Sequence, residues 1–285
     1  MPALLALVVV TAVWGITFVQ VKDALEVYPL LFAFLAIRFA IASLTLAPFA
    51  ATRLRGAGWK PGALLGALLA LGYALQTAGL ERTSVSSAGF ITGLYVVFTP
   101  IFAYLFFGIR VARVVVVGVG LAVFGLALLT GVGVGDPVGD ALVLAGSAVY
   151  SLQIVLMERY AHRYDPVAFT FVEMLSAFVG FTAVAVALGQ LEVPRGWVVW
   201  GALLVTGIFA SALGFLVQTW AQRQLSAART ALAFAMEPVW TAIFGFWLAG
   251  DRLGTAGWLG AALIMAGIVV AEPAAADTLR RLLRR

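Results

Sequence analysis

A chain of 285 residues that is 63% hydrophobic and 11% charged, with net charge +5 and mean hydropathy +1.06, is no ordinary soluble domain, where about 25% of residues are charged. It has no cysteine, which excludes disulfides, thiolate metal centres and cysteine nucleophiles. Long apolar runs such as 114–129 show no alternation, which excludes a membrane β-barrel and leaves helices that satisfy their own backbones in lipid.

Ten apolar segments follow one another with short connections: 3–21, 29–51, 62–80, 84–107, 113–130, 138–158, 166–189, 197–221, 226–249 and 255–272. A helix of about 20 residues is near 30 Å long, enough to cross a bilayer. The first segment lacks the basic flank and small-residue cleavage site of a signal peptide and is expected to be a retained helix. Pro29, Pro61, Pro137, Pro166 and Pro194 lie at or near predicted starts, where a missing N–H costs nothing. The only histidine, His162, falls in the charged connection 158–165, and the glycine-rich run 131–136 is expected to be a turn between two halves.

The two halves carry the same landmarks in the same order. Tyr28-Pro29 is answered by Asp165-Pro166, Trp59 by Trp197, Ser84 by Ser226, and Gly108 and Arg110 by Gly250 and Arg252. Gly118 and Gly125 return as Gly260 and Gly267. The offset drifts from 137 to 142 residues, so the second copy holds a small insertion before its fourth segment. Five crossings per copy insert the copies in opposite directions, as in carriers built from inverted repeats. The expected fold is an all-α integral membrane protein of ten transmembrane helices, two inverted five-helix repeats around a central cavity. The expected division is 1–135, 136–273 and a basic tail, 274–285.

Twelve basic residues fall on one set of connections and the tail, four (Lys22, Arg82, Arg195 and Arg252) on the other. The positive-inside rule then places both termini in the cytoplasm of a multi-pass protein of the bacterial inner membrane. The positive charge is a topological signal and no nucleic-acid partner is expected. The tail DTLRRLLRR (277–285) is either an orientation signal or a contact for anionic lipid.

Polar side chains in lipid are costly and should face an interior cavity. Helical spacing gathers Trp14 with Thr17, Tyr73 with Gln76 and Thr77, Thr92 with Tyr95 and Thr99, and Tyr150 with Gln153. Ser211, Gln218 and Gln222 form a further stripe, as do Thr230, Glu237, Trp240 and Thr241. Segments five and ten have no such stripe and are expected at the periphery, packed through small residues. The candidate substrate-binding set is Trp14, Thr17, Tyr73, Gln76, Thr77, Thr92, Tyr95, Tyr150, Gln153, Gln218, Glu237 and Trp240. For each, backbone bonding by hydroxyls and interfacial anchoring by aromatics compete with cavity lining. Pro100 and Pro238 are candidate conformational kinks, paired interruptions being a pointer to a transport site. Glu237 could hold a substrate ammonium or a proton, or stabilise the kink. Arg38 and Glu173 also lie inside spans and are candidates for a structural pair with each other. No nucleophile elbow, zinc-protease or phosphate-loop motif is present, so no catalytic residue, metal or cofactor is assigned.

Trp14-Gly15, Arg38-Phe39, the serine-rich start at 83–88, Thr99-Pro100, Glu237-Pro238 and Gly250-Asp251-Arg252-Leu253 together resemble the drug/metabolite transporter superfamily, and within it the EamA-type ten-helix exporters. Gly108-Ile109-Arg110 departs from the family in lacking an acidic residue before the arginine, and no role is given to that loop. The resemblance implies export of small metabolites, amino acids and drug-like cations among them. The aromatic faces favour amino acids, including aromatic ones, moved by alternating access. Export of organic cations or other metabolites, and a membrane-embedded lipid-modifying enzyme, are the alternatives. Expected partners are a small-molecule substrate, protons as a candidate co-substrate, and the lipid bilayer, with the chain a monomer or weak homodimer.

Overall fold

A computed structural model describes residues 2–83, 85–130, 136–244 and 254–271. Ten helical segments run through these residues: α1 (Pro2–Val27), α2 (Leu31–Ala50), α3 (Trp59–Leu80), α4 (Val85–Gly93 continued by Tyr95–Phe107), α5 (Arg113–Thr130), α6 (Pro137–Ala161), α7 (Pro166–Ala187), α8 (Trp197–Ala221), α9 (Ala227–Phe234 continued by Glu237–Phe244) and α10 (Thr255–Val270). The second interval's Ser84, the run 131–135, the loop motif 250–253 and the tail 274–285 lie outside the described residues.

Helix ends follow local chemistry. Asp136 and Asp165 each precede a proline and accept hydrogen bonds from the first-turn N–H groups of α6 and α7, satisfying donors that have no partner within the helix. The Gly139 N–H, with the Arg82 guanidinium 3.5 Å away, holds the Asp136 carboxyl below its ordinary pKa. α1 continues six residues beyond the predicted 21, through Lys22, Asp23 and Glu26. Hydropathy ends at the first charge, whereas backbone hydrogen bonding carries the helix into the polar interface.

Across the repeats, α2 packs on its counterpart α7 and α5 on its counterpart α10, while α3 and α4 pack on α6 and, symmetrically, α8 and α9 on α1. α2 and α7 run antiparallel, as do α5 and α10. Phe32 N–H donates to Gln190 at one end of α2, and Arg53 meets Asp165 at the other. On α5 and α10, a Cβ built at Gly118 would lie 2.6 Å from the Gly267 carbonyl, and one at Gly125 2.6 Å from that of Gly260. The glycines that mark the repeat in the sequence therefore notch two backbones together, as small residues do in membranes.

These pairings define two faces. A near face gathers Pro2, the 51–58 and 162–165 connections and the start of α9, held by Asp165 N–H to Gly56 O at 3.2 Å and Ala227 N–H to Glu158 at 2.8 Å. A far face gathers the ends of α1 and α3 and the start of α6, held by Tyr28 to Glu192 O at 2.6 Å and Thr83 to Asp140 at 2.7 Å. The extra residues of the second copy sit in α8, which has 25 residues against 22 in α3. Its middle, Val205–Leu213, widens into a π-helix that absorbs them.

The inverted arrangement is open to a direct check, since the chain has no native cysteine. Arg53→Cys and Leu191→Cys, at equivalent connections of the two repeats, should react with membrane-impermeant maleimide from opposite sides of sealed vesicles. Labelling of both from one side would refute antiparallel insertion.

Candidate transport cavity

Between the repeats lies a partly open cavity walled by residues of both. α1 contributes Trp14, Thr17, Phe18 and Val21, and α3 contributes Tyr73, Gln76, Thr77 and Leu80. Each set follows the i, i+3, i+4, i+7 spacing of one helical stripe. Arg38 enters from α2, Thr92 and Tyr95 from α4, and Tyr150, Gln153 and Ile154 from α6. Phe215 and Gln218 of α8 with Phe234 and Glu237 of α9 complete the wall. Leu80 also borders a second opening lined by Lys22, Glu26 and Glu81 toward the far face. α5 and α10 contribute no side chain.

Eleven of the twelve candidate residues thus surround one space. Trp240 does not join them. It packs beside the apolar cluster of α4, α9 and α10 and stacks on Phe244 at 6.1 Å between ring centroids. The sequence overlooked Phe18, Val21, Ile154, Phe215 and Phe234 as lining. Their signal was positional: each lies three to seven residues from a polar candidate on the same helical stripe.

α4 and α9 are both broken at this level. α4 is interrupted at Leu94, between Val85–Gly93 and Tyr95–Phe107, and α9 at Ala235 and Met236, before Glu237. These positions are equivalent under the 142-residue offset. Pro238 therefore sits in the first turn after its break, where proline is well tolerated. Pro100 lies inside the second part of α4, six residues after the turn at Leu94. Carbonyls around the α4 break are bonded from α6, Ser147 Oγ donating to Thr92 O at 2.9 Å and Ser151 Oγ to Tyr95 O at 3.3 Å. Tyr95 and Glu237 each open the second part of their helix, and the phenol donates to Glu237 Oε2 at 3.3 Å.

Arg38 and Glu173 are not a pair, contrary to the structural alternative raised from the sequence. Arg38, 3% exposed, donates through Nε to Ser211 Oγ and through Nη2 to the Tyr73 hydroxyl, both at 2.9 Å. Its guanidinium carbon lies 4.4 Å from the Tyr73 ring centroid, a cation–π distance. Ser211 is carried by the π-helical part of α8, as is Ala210, whose carbonyl accepts the Trp14 indole N–H at 2.9 Å. Glu173, wholly buried, instead accepts from Gln153 Nε2 at 2.7 Å. The two lie on separate networks, Arg38 with Ser211 and Tyr73 and Glu173 with Gln153.

A chain of amides continues from Gln153. Gln218 Nε2 donates to Gln153 Oε1 at 3.0 Å and to Gln222 Oε1 at 2.9 Å, and Gln222 Nε2 donates to Ile154 O at 2.8 Å. This network and the Glu158–Ala227 contact lie within the second repeat, on the near-face side of the cavity. Tyr150 donates to Gln76 Oε1, and Gln76 Nε2 to Thr92 Oγ1, both at 3.0 Å. Thr99 and Thr241 bond to backbone carbonyls. Among the described residues no cluster of histidine and carboxylates could hold a metal.

The EamA-like transporter family matches residues 1–131 and 137–271. An uncharacterized transporter of Archaeoglobus fulgidus is 31% identical over 268 residues, 93% of this chain and 84% of that protein. The uncharacterized inner membrane transporter YedA of Escherichia coli is 27% identical, over 95% of this chain and 90% of its own. The uncharacterized transporter YyaM of Bacillus subtilis is 28% identical over 73% and 72%. A solved crystal structure superimposes with TM-score 0.79 at 19% identity, covering 96% of this chain and 97% of that one. It shares the fold.

The tightest wall is testable. A Cβ at Gly72 would fall 2.6 Å from Tyr150 Cε1, while one at Gly120 meets nothing within 4 Å. Gly72→Ala should push the Tyr150 ring off Gln76 and lower unfolding stability in detergent by about 1–3 kcal/mol. Gly120→Ala should be neutral or stabilise by up to about 1 kcal/mol through helix propensity. Thermal unfolding of both variants measures the contrast; equal midpoints would deny the close approach.

Proposed function

The chain belongs to the EamA-like transporter family, and from that membership we propose that it is a secondary carrier exporting small amphipathic metabolites, amino acids and aromatic ones foremost, across the bacterial inner membrane. The observation that carries this reading is one cavity walled by helices of both repeats. Aromatic faces with scattered amides and hydroxyls, one cationic and one acidic group suit a small solute with an apolar body and polar ends. Aliphatic amines and drug-like cations would find only Glu237 as a counter-charge, and Arg38 disfavours them.

The near face is the cytoplasmic one in this reading, supported by the twelve-to-four distribution of basic residues. Tilting of the paired repeats about the cavity would then expose it to each side in turn. Glu237 lies at the interruption of α9 and contacts α4 of the other repeat, which suits it to hold a substrate ammonium or a proton during that exchange.

Counterflow in proteoliposomes tests the reading. Labelled amino acids, sugars and organic cations should separate, with saturable exchange confined to amino acids. Flux that does not saturate would indicate a channel, and chemical conversion of the solute an enzyme. Glu237→Gln should insert normally, flatten the pH dependence of exchange and slow it about tenfold or more, the scale of one charge-assisted hydrogen bond of about 1.5–3 kcal/mol. Exchange equal to the wild type at every pH would remove Glu237 from the mechanism.

A further inference from the structure

We propose that Arg38 is a carboxylate receptor, so that the cavity selects zwitterions over amines of the same shape. The inference rests on the carrier reading above and names the chemistry its binding site recognises. Arg38 is buried to 97% in the cavity wall, and two of its three nitrogens are held by neutral hydroxyls, Ser211 and Tyr73. Nη1 has no partner among the described residues, and no carboxylate there lies within the 4.0 Å of an ion pair. A desolvated guanidinium without a counter-charge is costly. Nothing in the surrounding protein supplies that charge, so the site is completed by an anion arriving through the cavity.

The geometry also fixes what kind of anion. Ser211 and Tyr73 hold the guanidinium from two directions, and the stack over the Tyr73 ring sets its plane. Planar guanidinium donors match carboxylate oxygens better than a point charge does. The other ionisable group of the lining is Glu237, carried by the opposite repeat and bonded on one oxygen by Tyr95. One fixed positive and one acidic group in the same cavity suit a solute with a negative and a positive end. A phosphate dianion would meet Glu237 unfavourably, and a simple amine would leave Arg38 without its counter-charge. Between the poles, Trp14 lies 5.5 Å from Phe215 and 4.8 Å from Phe234, an apolar bed for a side chain. Because Arg38 belongs to the first repeat and Glu237 to the second, a zwitterion bridges the two moving parts.

The experiment compares L-phenylalanine, phenethylamine (no carboxylate) and 3-phenylpropionate (no ammonium) for binding to the purified full-length chain, read by tryptophan fluorescence and by competition in proteoliposomes. Wild-type protein should bind phenylalanine at least about tenfold more tightly than phenethylamine, the scale of a charge-assisted bidentate contact. Arg38→Gln should bring phenylalanine down to the phenethylamine level without weakening phenethylamine, and should abolish 3-phenylpropionate binding. Arg38→Lys, which keeps the charge but not the fork, should fall between. Equal binding of phenylalanine and phenethylamine by the wild type overturns the receptor while leaving the carrier intact, and it does so even if the variants fail to fold. Arg38-dependent binding of 3-phenylpropionate without phenylalanine exchange upholds the receptor and rejects amino acids as cargo. Failure of both carboxylates to bind overturns it.

Discussion

A polar group in hydrocarbon has to find its partner within the protein, and here the partner is repeatedly supplied by the other repeat. Arg38 is met by Ser211, Trp14 by the carbonyl of Ala210, Tyr95 by Glu237, Tyr150 by Gln76, Ser147 by the carbonyl of Thr92, and Thr241 by the carbonyl of Gly15. Every one of these bonds joins residues of the first five helices to residues of the last five. Neither repeat could satisfy its own interior alone. The cavity is therefore a product of the interface, and its polar lining is also the fastening that holds the halves together.

α5 and α10 meet through glycine backbones, with Ile264 and Leu129 packed beside the notches. Near the cavity the contacts are different in kind. Hydroxyls, amides and an indole meet carbonyls, and such bonds can be exchanged for others at similar cost. The breaks at Leu94 and at Ala235–Met236, with the π-helical middle of α8, place loosened backbone beside these bonds. The glycine-notched edge and the interrupted, hydrogen-bonded centre thus occupy different parts of the interface.

Much of this was legible in the sequence because lipid makes polar residues informative. In a water-exposed helix a stripe such as Tyr73, Gln76 and Thr77 would mean little; within a span it has to face inward, and it does. The antiparallel pairing of Gly118 with Gly267 and Gly125 with Gly260 was carried by their recurrence, though the sequence did not say that they meet each other. Trp240 was misplaced because the stripe from Glu237 was continued beyond the turn that reaches the cavity. The α4 interruption at Leu94 had no mark of its own in the sequence, since the proline that marks a missing bond stands six residues later at Pro100. Arg38 could not be assigned because its partner, Ser211, lies 173 residues away on a helix whose π-helical register shifts which side chains face inward.

The two faces are fastened by different chemistry at equivalent helix ends. At the near end of α6, Glu158 accepts from the first N–H of α9 at 2.8 Å, an anion at the positive end of a helix, which is a favourable arrangement. Its repeat equivalent on α1 is Val21, and the neighbouring Lys22 takes the corresponding place at the far end. There the ammonium reaches the carbonyl of Thr83 at 3.4 Å, just before α4 begins. A cation at a helix start is opposed by the dipole that attracts Glu158, and at the far end the acid comes instead from Asp140 of the other repeat, which accepts from Thr83 Oγ1 and Ser87 Oγ at the start of α4. The two ends thus place an acid at a helix start by different routes, from within one repeat at the near end and from across the repeats at the far end.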